Sequence, residues 1–368
     1  MATIIGTSGN DTIAPAGVSL GVTGGLPGSA GEGIVGTAGN DSIDGGGGSN
    51  FLDYRSGPGA GPITATYAAS GYAGTVLKGG ANGTDTFVNI RGILGGAGND
   101  SLIGSDDTTA NLGSGSVWSG RAQPATASWL KLTHYPNLPF WIVLRGRLGD
   151  DFIDGRKSQL NQTSYFDSPH GVTITLQTSI DGSGNWFGTA ADGNQVSGQA
   201  AGTYYADTLR NVTRAAGSAF DDTITGSAAN DRFDASAGND TYDGGGGFNT
   251  INYDNGVSGL TAVTVTVVAP DTGLFGFGNG SAAKGGIGGT DTLARFNDYR
   301  GTTGGDLLSG TTAAYSWNSI SLRGGLGNDT INGFGNSINR ADYSGAGAAV
   351  SVDLAAGTAQ DGRAAPTR

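Results

Sequence analysis

The stretch GSAFDDTITGSAANDRFDASAGNDTYD, residues 217–243, reads as three tandem copies of one nine-residue unit. Each copy opens on a small residue, carries Asp at its sixth position (Asp222, Asp231, Asp240) and places an apolar residue at its eighth (Ile224, Phe233, Tyr242). Outward from this run the same unit recurs as GTSGNDTIA (6–14), GTAGNDSID (36–44), GGAGNDSLI (95–103), GRLGDDFID (146–154), GTTGGDLLS (301–309) and GGLGNDTIN (324–332). Their sixth positions are Asp11, Asp41, Asp100, Asp151, Asp306 and Asp329. Two weaker copies, GGGGSNFLD (45–53) and GGGGFNTIN (244–252), put Asn50 and Asn249 in the Asp position. Gly pairs arise by chance in a chain this rich in glycine; aligned Asp residues two positions before an apolar one do not.

The residue types dictate a geometry. Glycine lets the backbone turn through positive φ and brings carbonyls close together. The sixth-position carboxylate is a hard oxygen donor of the kind Ca²⁺ prefers. The residues after it form a very short strand whose eighth residue points inward. Two nonads make one coil of a parallel β-solenoid, so turns on one side recur every 18 residues, as Asp222 and Asp240 or Asp231 and Asn249 do. A Ca²⁺ between stacked turns makes Asp11, Asp41, Asp100, Asp151, Asp222, Asp231, Asp240, Asn249, Asp306 and Asp329 the candidate metal ligands, with several ions per chain. The competing reading is a series of Asx turns with no metal.

A larger unit encloses the nonads. An Asp-Thr box at Asp85, Asp207 and Asp291 precedes the next nonad Asp by 15 residues each time, at Asp100, Asp222 and Asp306. That spacing marks fixed architecture. Tyr-like boxes at Asp53-Tyr54, Tyr165-Phe166-Asp167, Asn252-Tyr253-Asp254 and Asp342-Tyr343 are each followed by an alternating stretch: ITATY (63–67), VTITL (172–176), VTVTV (263–267) and VSVDL (350–354). Strict alternation predicts half-buried strands. From Tyr-like to Asp-Thr box the distance varies, 31 residues from 54 to 85, 41 from 166 to 207 and 38 from 253 to 291, which predicts loops outside the solenoid. The chain divides accordingly into a first unit (1–112), an aromatic-rich insert (113–145), a second unit (146–252), a third (253–332) and a partial terminal unit (333–368).

Composition agrees. With 71 Gly in 368 residues and 36% apolar residues, hydrophobic burial alone struggles to offset chain entropy. A formal charge of -12 repels nucleic acid and anionic membranes and attracts divalent cations. Cysteine is absent, which excludes disulfides and thiolate sites. No run of eighteen apolar residues is present to span a membrane, and Met1 to Asp11 shows no cleavable signal peptide, which leaves the cytoplasm or an export route without an N-terminal signal.

The nonads resemble the RTX, or haemolysin-type calcium-binding, repeat family, whose consensus G-G-x-G-x-D-x-U-x is matched almost letter for letter by Gly324 to Asn332. The text ADYSGAGAAVSVDLAAGTA (341–359) is similar to spacers of RTX adhesins and S-layer proteins. The resemblance implies an all-β, right-handed parallel β-roll, folding driven by Ca²⁺, and secretion to the extracellular space or cell surface by a type I route.

Enzymatic machinery is not legible. The two histidines, His134 and His170, stand in no zinc pattern, and the G-x-S-x-G match at 17–21 lacks a strand–elbow–helix context. Paired acids such as Asp106-Asp107 and Asp221-Asp222 fall in or beside the repeats, where turn formation or ligation explains them. The chain therefore reads as a non-enzymatic structural protein that self-associates into a layer, filament or matrix. A nonad at its start and a Tyr-like box near its end suggest end-to-end contacts. The alternative is an adhesin. Residues 117–145 hold three of the five Trp, and Trp118, Trp129, Tyr135 and Trp141 form either a plug over the roll interior or a contact surface for glycan or partner protein.

Overall fold

A computed structural model describes residues 2–55, 61–68, 72–80, 82–96, 98–105, 142–147, 149–156, 161–195, 203–254, 257–270, 278–310, 320–333, 339–344, 346, 349–353 and 357–360. These residues are strands and turns, with no helix among them. They fall into two compact units that part between Ser218 and Ala219.

The tandem nonads show how the sequence becomes a coil. Thr223–Thr225, Arg232–Asp234, Thr241–Asp243 and Thr250–Asn252 are three-residue strands that alternate between two sheets. The first two pair in parallel with the strands 18 residues on, Thr223 with Thr241 and Arg232 with Thr250, and the last two pair in parallel across the third insert, Thr241 with Thr292 and Thr250 with Asp298. The eighth residue of each nonad is the middle of its strand and is buried: Ile224, Phe233, Tyr242 and Ile251. Residues from the two sheets meet between them, the Phe233 and Tyr242 rings 6.1 Å apart. A buried Ile or Leu contributes about 1.5–3 kcal/mol over an exposed one. Ile251→Ala is therefore expected to cost about 2–5 kcal/mol, read as a lowered denaturation midpoint in saturating Ca²⁺.

In the first unit, one sheet runs Ala2–Ile5, Glu32–Val35, Phe51–Asp53, Gly92–Leu94, Ile142–Arg145, Asn161–Ser164 and Arg214–Ala216, each parallel to its neighbour. Its last four insert residues, 142–145, are thus an interior strand. The other sheet carries the nonad strands Thr12–Ala14, Ser42–Asp44, Ser101–Ile103 and Phe152–Asp154. The second unit repeats the plan, with Arg232–Asp234, Thr250–Asn252, Asp298–Arg300, Ile320–Arg323 and Asn339–Ala341 in one parallel sheet. Ser351–Asp353 and Thr358–Gln360 form a separate exposed antiparallel pair.

The spacers depart from expectation. They are not loops outside the solenoid but antiparallel strands built into its second sheet. Ile63–Tyr67 pairs antiparallel with Gly74–Lys78, which pairs antiparallel with Thr84–Val88. The outer two members then pair in parallel with Ser101–Ile103 and Ser42–Asp44. Thr173–Ile180, Trp186–Gln195 and Tyr204–Arg210 make the second such insert, and Ala262–Pro270, Gly278–Gly285 and Thr290–Phe296 the third. The first three alternating stretches keep one side buried, as at Ile63, Ala65 and Tyr67, so the extra strands stay in the sheet plane and the variable length is taken up in the hairpins, whereas the fourth, expected to be half-buried, is exposed at Val350 and Val352. The constant 15-residue spacing has an equally direct cause. From Asp85 the chain passes one turn, the first-sheet strand Gly92–Leu94 and a second turn before reaching Asp100, and the other inserts do the same.

Candidate metal centres

The nonad Asp side chains form ladders from coil to coil. Asp11 N–H donates to Asp41 Oδ1 at 2.9 Å, and Asp41 N–H to Asp85 Oδ1 at 3.0 Å. Asp100 N–H donates to Asp151 Oδ1 at 2.7 Å and Asp151 N–H to Asp207 Oδ1 at 3.0 Å. In the second unit, Asp222 donates to Asp240, Asp240 to Asp291 and Asp306 to Asp329 in the same way. The next residue of the later coil donates back: Ser42 N–H to Asp11 O, Thr86 to Asp41 O, Phe152 to Asp100 O and Thr241 to Asp222 O. Each rung is thus a two-bond clamp between stacked turns. The sixth-position Asp residues are buried, apart from Asp329, which is half-buried.

The Asp-Thr and Tyr-like boxes, found separately in the sequence, meet here. Tyr54, Tyr165 and Tyr253 donate their hydroxyls to Oδ2 of Asp85, Asp207 and Asp291 at 2.7–2.8 Å. The middle partner is Tyr165, not Phe166. Tyr253→Phe leaves Asp291 Oδ2 without its Tyr donor in a buried site, and is expected to cost about 1–3 kcal/mol in a thermal melt.

What holds Oδ2 of a nonad Asp depends on the second position of its nonad. Where that residue is Ser or Thr it caps the carboxylate. Thr7 donates from N–H and Oγ1 to Asp11 Oδ2, Ser227 does so to Asp231, and Thr302 N–H reaches Asp306 Oδ2 at 2.6 Å. Where it is Gly96 or Arg147 the hydroxyl donor is missing, and at Asp100 the Gly96 backbone N–H alone bears on the carboxylate from that position. Oδ2 of Asp100 and of Asp151 is buried with no hydrogen-bond partner. Burial pushes the Asp100 carboxyl up to about 7. Burial, reinforced by Asp207 and neighbouring carboxylates, pushes Asp151 up to about 9. An ionised carboxylate cannot stay buried uncompensated, so these two rungs demand a cation or a proton.

The turn closes tightly on its first residue. A Cβ on Gly95 would stand 2.0 Å from Asp100 Oδ2 and 2.5 Å from the Gly146 carbonyl oxygen, and one on Gly301 2.3 Å from Asp306 Oδ2 and 2.4 Å from Gly324 O. The first-position glycine thus lets its own carboxylate and a stacked turn's carbonyl close in beside its Cα, where a side chain would displace them. The fourth-position glycines Gly39, Gly98, Gly149, Gly238 and Gly327 supply the left-handed turn, with φ between 102° and 121°. This oxygen-only donor set suits Ca²⁺. Among the described residues no three carboxylate or imidazole side chains converge as a metal cluster, so main-chain carbonyls must supply part of any coordination shell.

Asn249 serves differently. Its Oδ1 accepts from Asp231 N–H at 3.0 Å, while Nδ2 donates to Gly246 O and Arg295 O at 2.8 and 3.0 Å. Asn50 repeats the arrangement with Gly47 O and Asn89 O. The amide N–H₂ thus reaches the carbonyls itself. Trp118, Trp129, Tyr135 and Trp141, His134 and the Asp106-Asp107 pair lie outside the described residues. Ser19 sits after a β-hairpin, accepting from Thr12 N–H at 2.8 Å, and His170 Nδ1 bonds Gly193 O.

Sequence reading missed Asp85, Asp207 and Asp291 as partners of the nonad carboxylates, and missed Lys78 and Lys284 altogether. Both lysines are buried against these acids, Lys78 beside Asp41 and Asp85, Lys284 beside Asp240 and Asp291. A signal was available. The chain has four lysines, and two stand in the matching strings KGGANGTDT (78–86) and KGGIGGTDT (284–292).

Against known families, the RTX calcium-binding nonapeptide repeat (4 copies) matches residues 3–14, 30–58, 93–108, 216–251 and 321–336. No curated protein matches the chain.

Proposed function

This chain carries RTX calcium-binding nonapeptide repeats, and from that premise we propose that it is a secreted structural protein in which Ca²⁺ switches on the fold and the folded roll builds a surface layer, filament or matrix. The observation that carries the calcium-switch part is the buried carboxylate oxygen Asp151 Oδ2, which has no hydrogen-bond partner. In a calcium-poor cell interior such carboxylates oppose folding of a Gly-rich chain. At the about millimolar Ca²⁺ outside cells, even sites with Kd on the order of 10⁻⁴–10⁻³ M fill. Export by a type I route fits this timing, because the chain stays unfolded until it meets the ion.

The layer or filament reading draws on the fold's form. Within each unit the first-sheet strands stack in parallel, and Asn339–Ala341 has one sheet neighbour among the described residues, while Ala2–Ile5 has one besides the single bridge from Ile5 to Thr23. Parallel edge strands present unpaired N–H and C=O groups to a second copy. No helix among the described residues is long and apolar enough to cross a membrane. A second reading, an adhesin, is favoured by the three Trp within residues 117–145, and glycan binding lost on Trp141→Ala would support it.

The test follows circular dichroism and electron microscopy of one sample in EGTA and then in millimolar Ca²⁺. The expected result is a large loss of β-signal on chelation, its recovery with Ca²⁺, and filaments or sheets in the calcium sample. Monomeric particles with full β-signal would move the assignment to adhesion. A fold indifferent to EGTA, even on prolonged chelation at elevated temperature, would remove the calcium switch.

A further inference from the structure

The three inserts are built alike, and one register position differs among them. Opposite Ile63 at the start of the first insert stands Lys78; opposite Val263 in the third stands Lys284. In the second insert, one residue beyond the Thr173–Ala191 pair, the same position is Asp192. All three side chains are buried, at 1%, 4% and 0% exposure.

The surroundings of the two lysines match contact for contact. Lys78 Nζ donates to the Thr37 carbonyl oxygen at 2.5 Å, to Asp41 Oδ2 at 3.3 Å and to Asp85 Oδ1. Lys284 Nζ donates to Ser236 O at 2.9 Å, to Asp240 Oδ2 at 3.1 Å and to Asp291 Oδ1 at 2.5 Å. Thr37 and Ser236 are second positions of their nonads, Asp41 and Asp240 the sixth. A main-chain carbonyl and two carboxylates are donors that a hard cation would take, and here the ammonium takes them.

The coil closed by Asp207 keeps the rung and the Tyr contact of this arrangement. Asp151 N–H donates to Asp207 Oδ1 and Tyr165 donates to Asp207 Oδ2, as in the lysine-bearing coils. Two positions differ: Arg147 stands in the second position of the nonad, where the others have Thr37 and Ser236, and the return-strand residue is acidic instead of basic. Asp192 adds a negative charge that bears on both Asp151 and Asp207. Asp151 Oδ2, which corresponds to the Asp41 and Asp240 atoms held by ammonium, is the buried atom with no donor. Arg145 and Arg147 line the same small cavity as Asp192, and their guanidinium groups lie 4.0 and 2.9 Å from Asp167.

We propose that Lys78 and Lys284 are internal cations standing in the place of a bound Ca²⁺, so that the coils closed by Asp85 and Asp291 hold without the ion, while the coil closed by Asp207, with Asp192 at the lysine position, holds only with a divalent cation. The chain then divides its stacked turns into two classes by one residue per insert. The inference rests on the calcium reading above and refines it, since chelation would loosen the roll unevenly.

Hydrogen exchange of the full chain in EGTA and in millimolar Ca²⁺, read by mass spectrometry beside equilibrium dialysis with Ca²⁺, tests this. In EGTA, amides of 84–88 and 290–296 are expected to exchange at least about ten-fold more slowly than those of 204–210, and Ca²⁺ should close that gap. Lys284→Met should move 290–296 into the calcium-dependent class and add one bound ion. Asp192→Lys should protect 204–210 in EGTA and remove one ion. If Lys284→Met fails to fold even with Ca²⁺, Asp192→Lys decides: unchanged exchange of 204–210 in EGTA overturns the assignment. Uniform exchange of the three segments in EGTA, with Ca²⁺ still bound on dialysis, also overturns it. Dialysis that finds no bound Ca²⁺ removes the calcium reading itself.

Discussion

In EGTA the chain is expected to gain β-structure as the pH falls from about 9 to about 5, the reverse of ordinary acid denaturation. The sign follows from the buried carboxyls. Burial raises Asp41 and Asp306 to about 6, Asp100, Asp207 and Asp231 to about 7, and Asp151 to about 9, from an ordinary value of 3.8. A carboxyl raised in the folded state binds its proton there before it does in the unfolded chain. Stability from these groups is therefore fully present below the ordinary Asp value and is lost as pH rises through 6, 7 and 9 in turn. A proton neutralises each rung in the absence of the ion. With saturating Ca²⁺ the ordering should invert, because protons then compete with the metal for the same oxygens. Far-UV circular dichroism across this range, with and without the ion, reads both limbs. A metal-free β-signal that falls on acidification would contradict the uncompensated rungs.

Gly146→Ala is expected to be among the most damaging single-methyl changes in the chain. The added Cβ would stand 1.7 Å from Asp151 Oδ2, the oxygen without a hydrogen-bond partner, and 2.4 Å from Cγ. Either the turn opens or Asp151 leaves its rung, breaking the clamps to Asp100 and Asp207 together. The loss should reach at least the ~1–3 kcal/mol of an overpacked core and be accompanied by one fewer bound ion. Gly17→Ala is the control. Nothing lies within 4 Å of its Cβ position, and its effect should stay within about 0.5 kcal/mol. Denaturation midpoints and calcium dialysis of the two variants decide; equal behaviour would mean the close approach at the first-position glycine carries no cost.

The nonads were legible because their constraint is local: a tight turn, made by a left-handed glycine in several copies, followed by one acidic and one apolar position. The stacking of Asp222 on Asp240 and of Asp231 on Asn249 could be counted off at 18 residues and stands in the structure as such. The spacers were not legible in the same way. ITATY announced a strand, but its antiparallel return, Gly74–Lys78, has a pattern too weak to announce itself, so length variation was taken for loops. The link between Tyr54 and Asp85, or Tyr253 and Asp291, spans a whole insert of variable length, and only the folded sheet brings the ends together. Lys78 and Lys284 were overlooked because a lysine is ordinarily a surface residue. Its meaning here comes from two carboxylates that the topology, not the spacing, brings to it.

The clamps between turns also have a direction. In every rung described, the side-chain acceptor belongs to the coil later in sequence: Asp41 for Asp11, Asp151 for Asp100, Asp240 for Asp222, Asp329 for Asp306. A chain that orders from its N-terminal end therefore leaves each newest coil with its Asp N–H unanswered until the next arrives. Ordering from the C-terminal end reverses this. Each arriving turn then finds a carboxylate already fixed, whereas a turn arriving in the other direction finds the Asp main-chain carbonyl that accepts the return bond, so the two growing ends offer different partners.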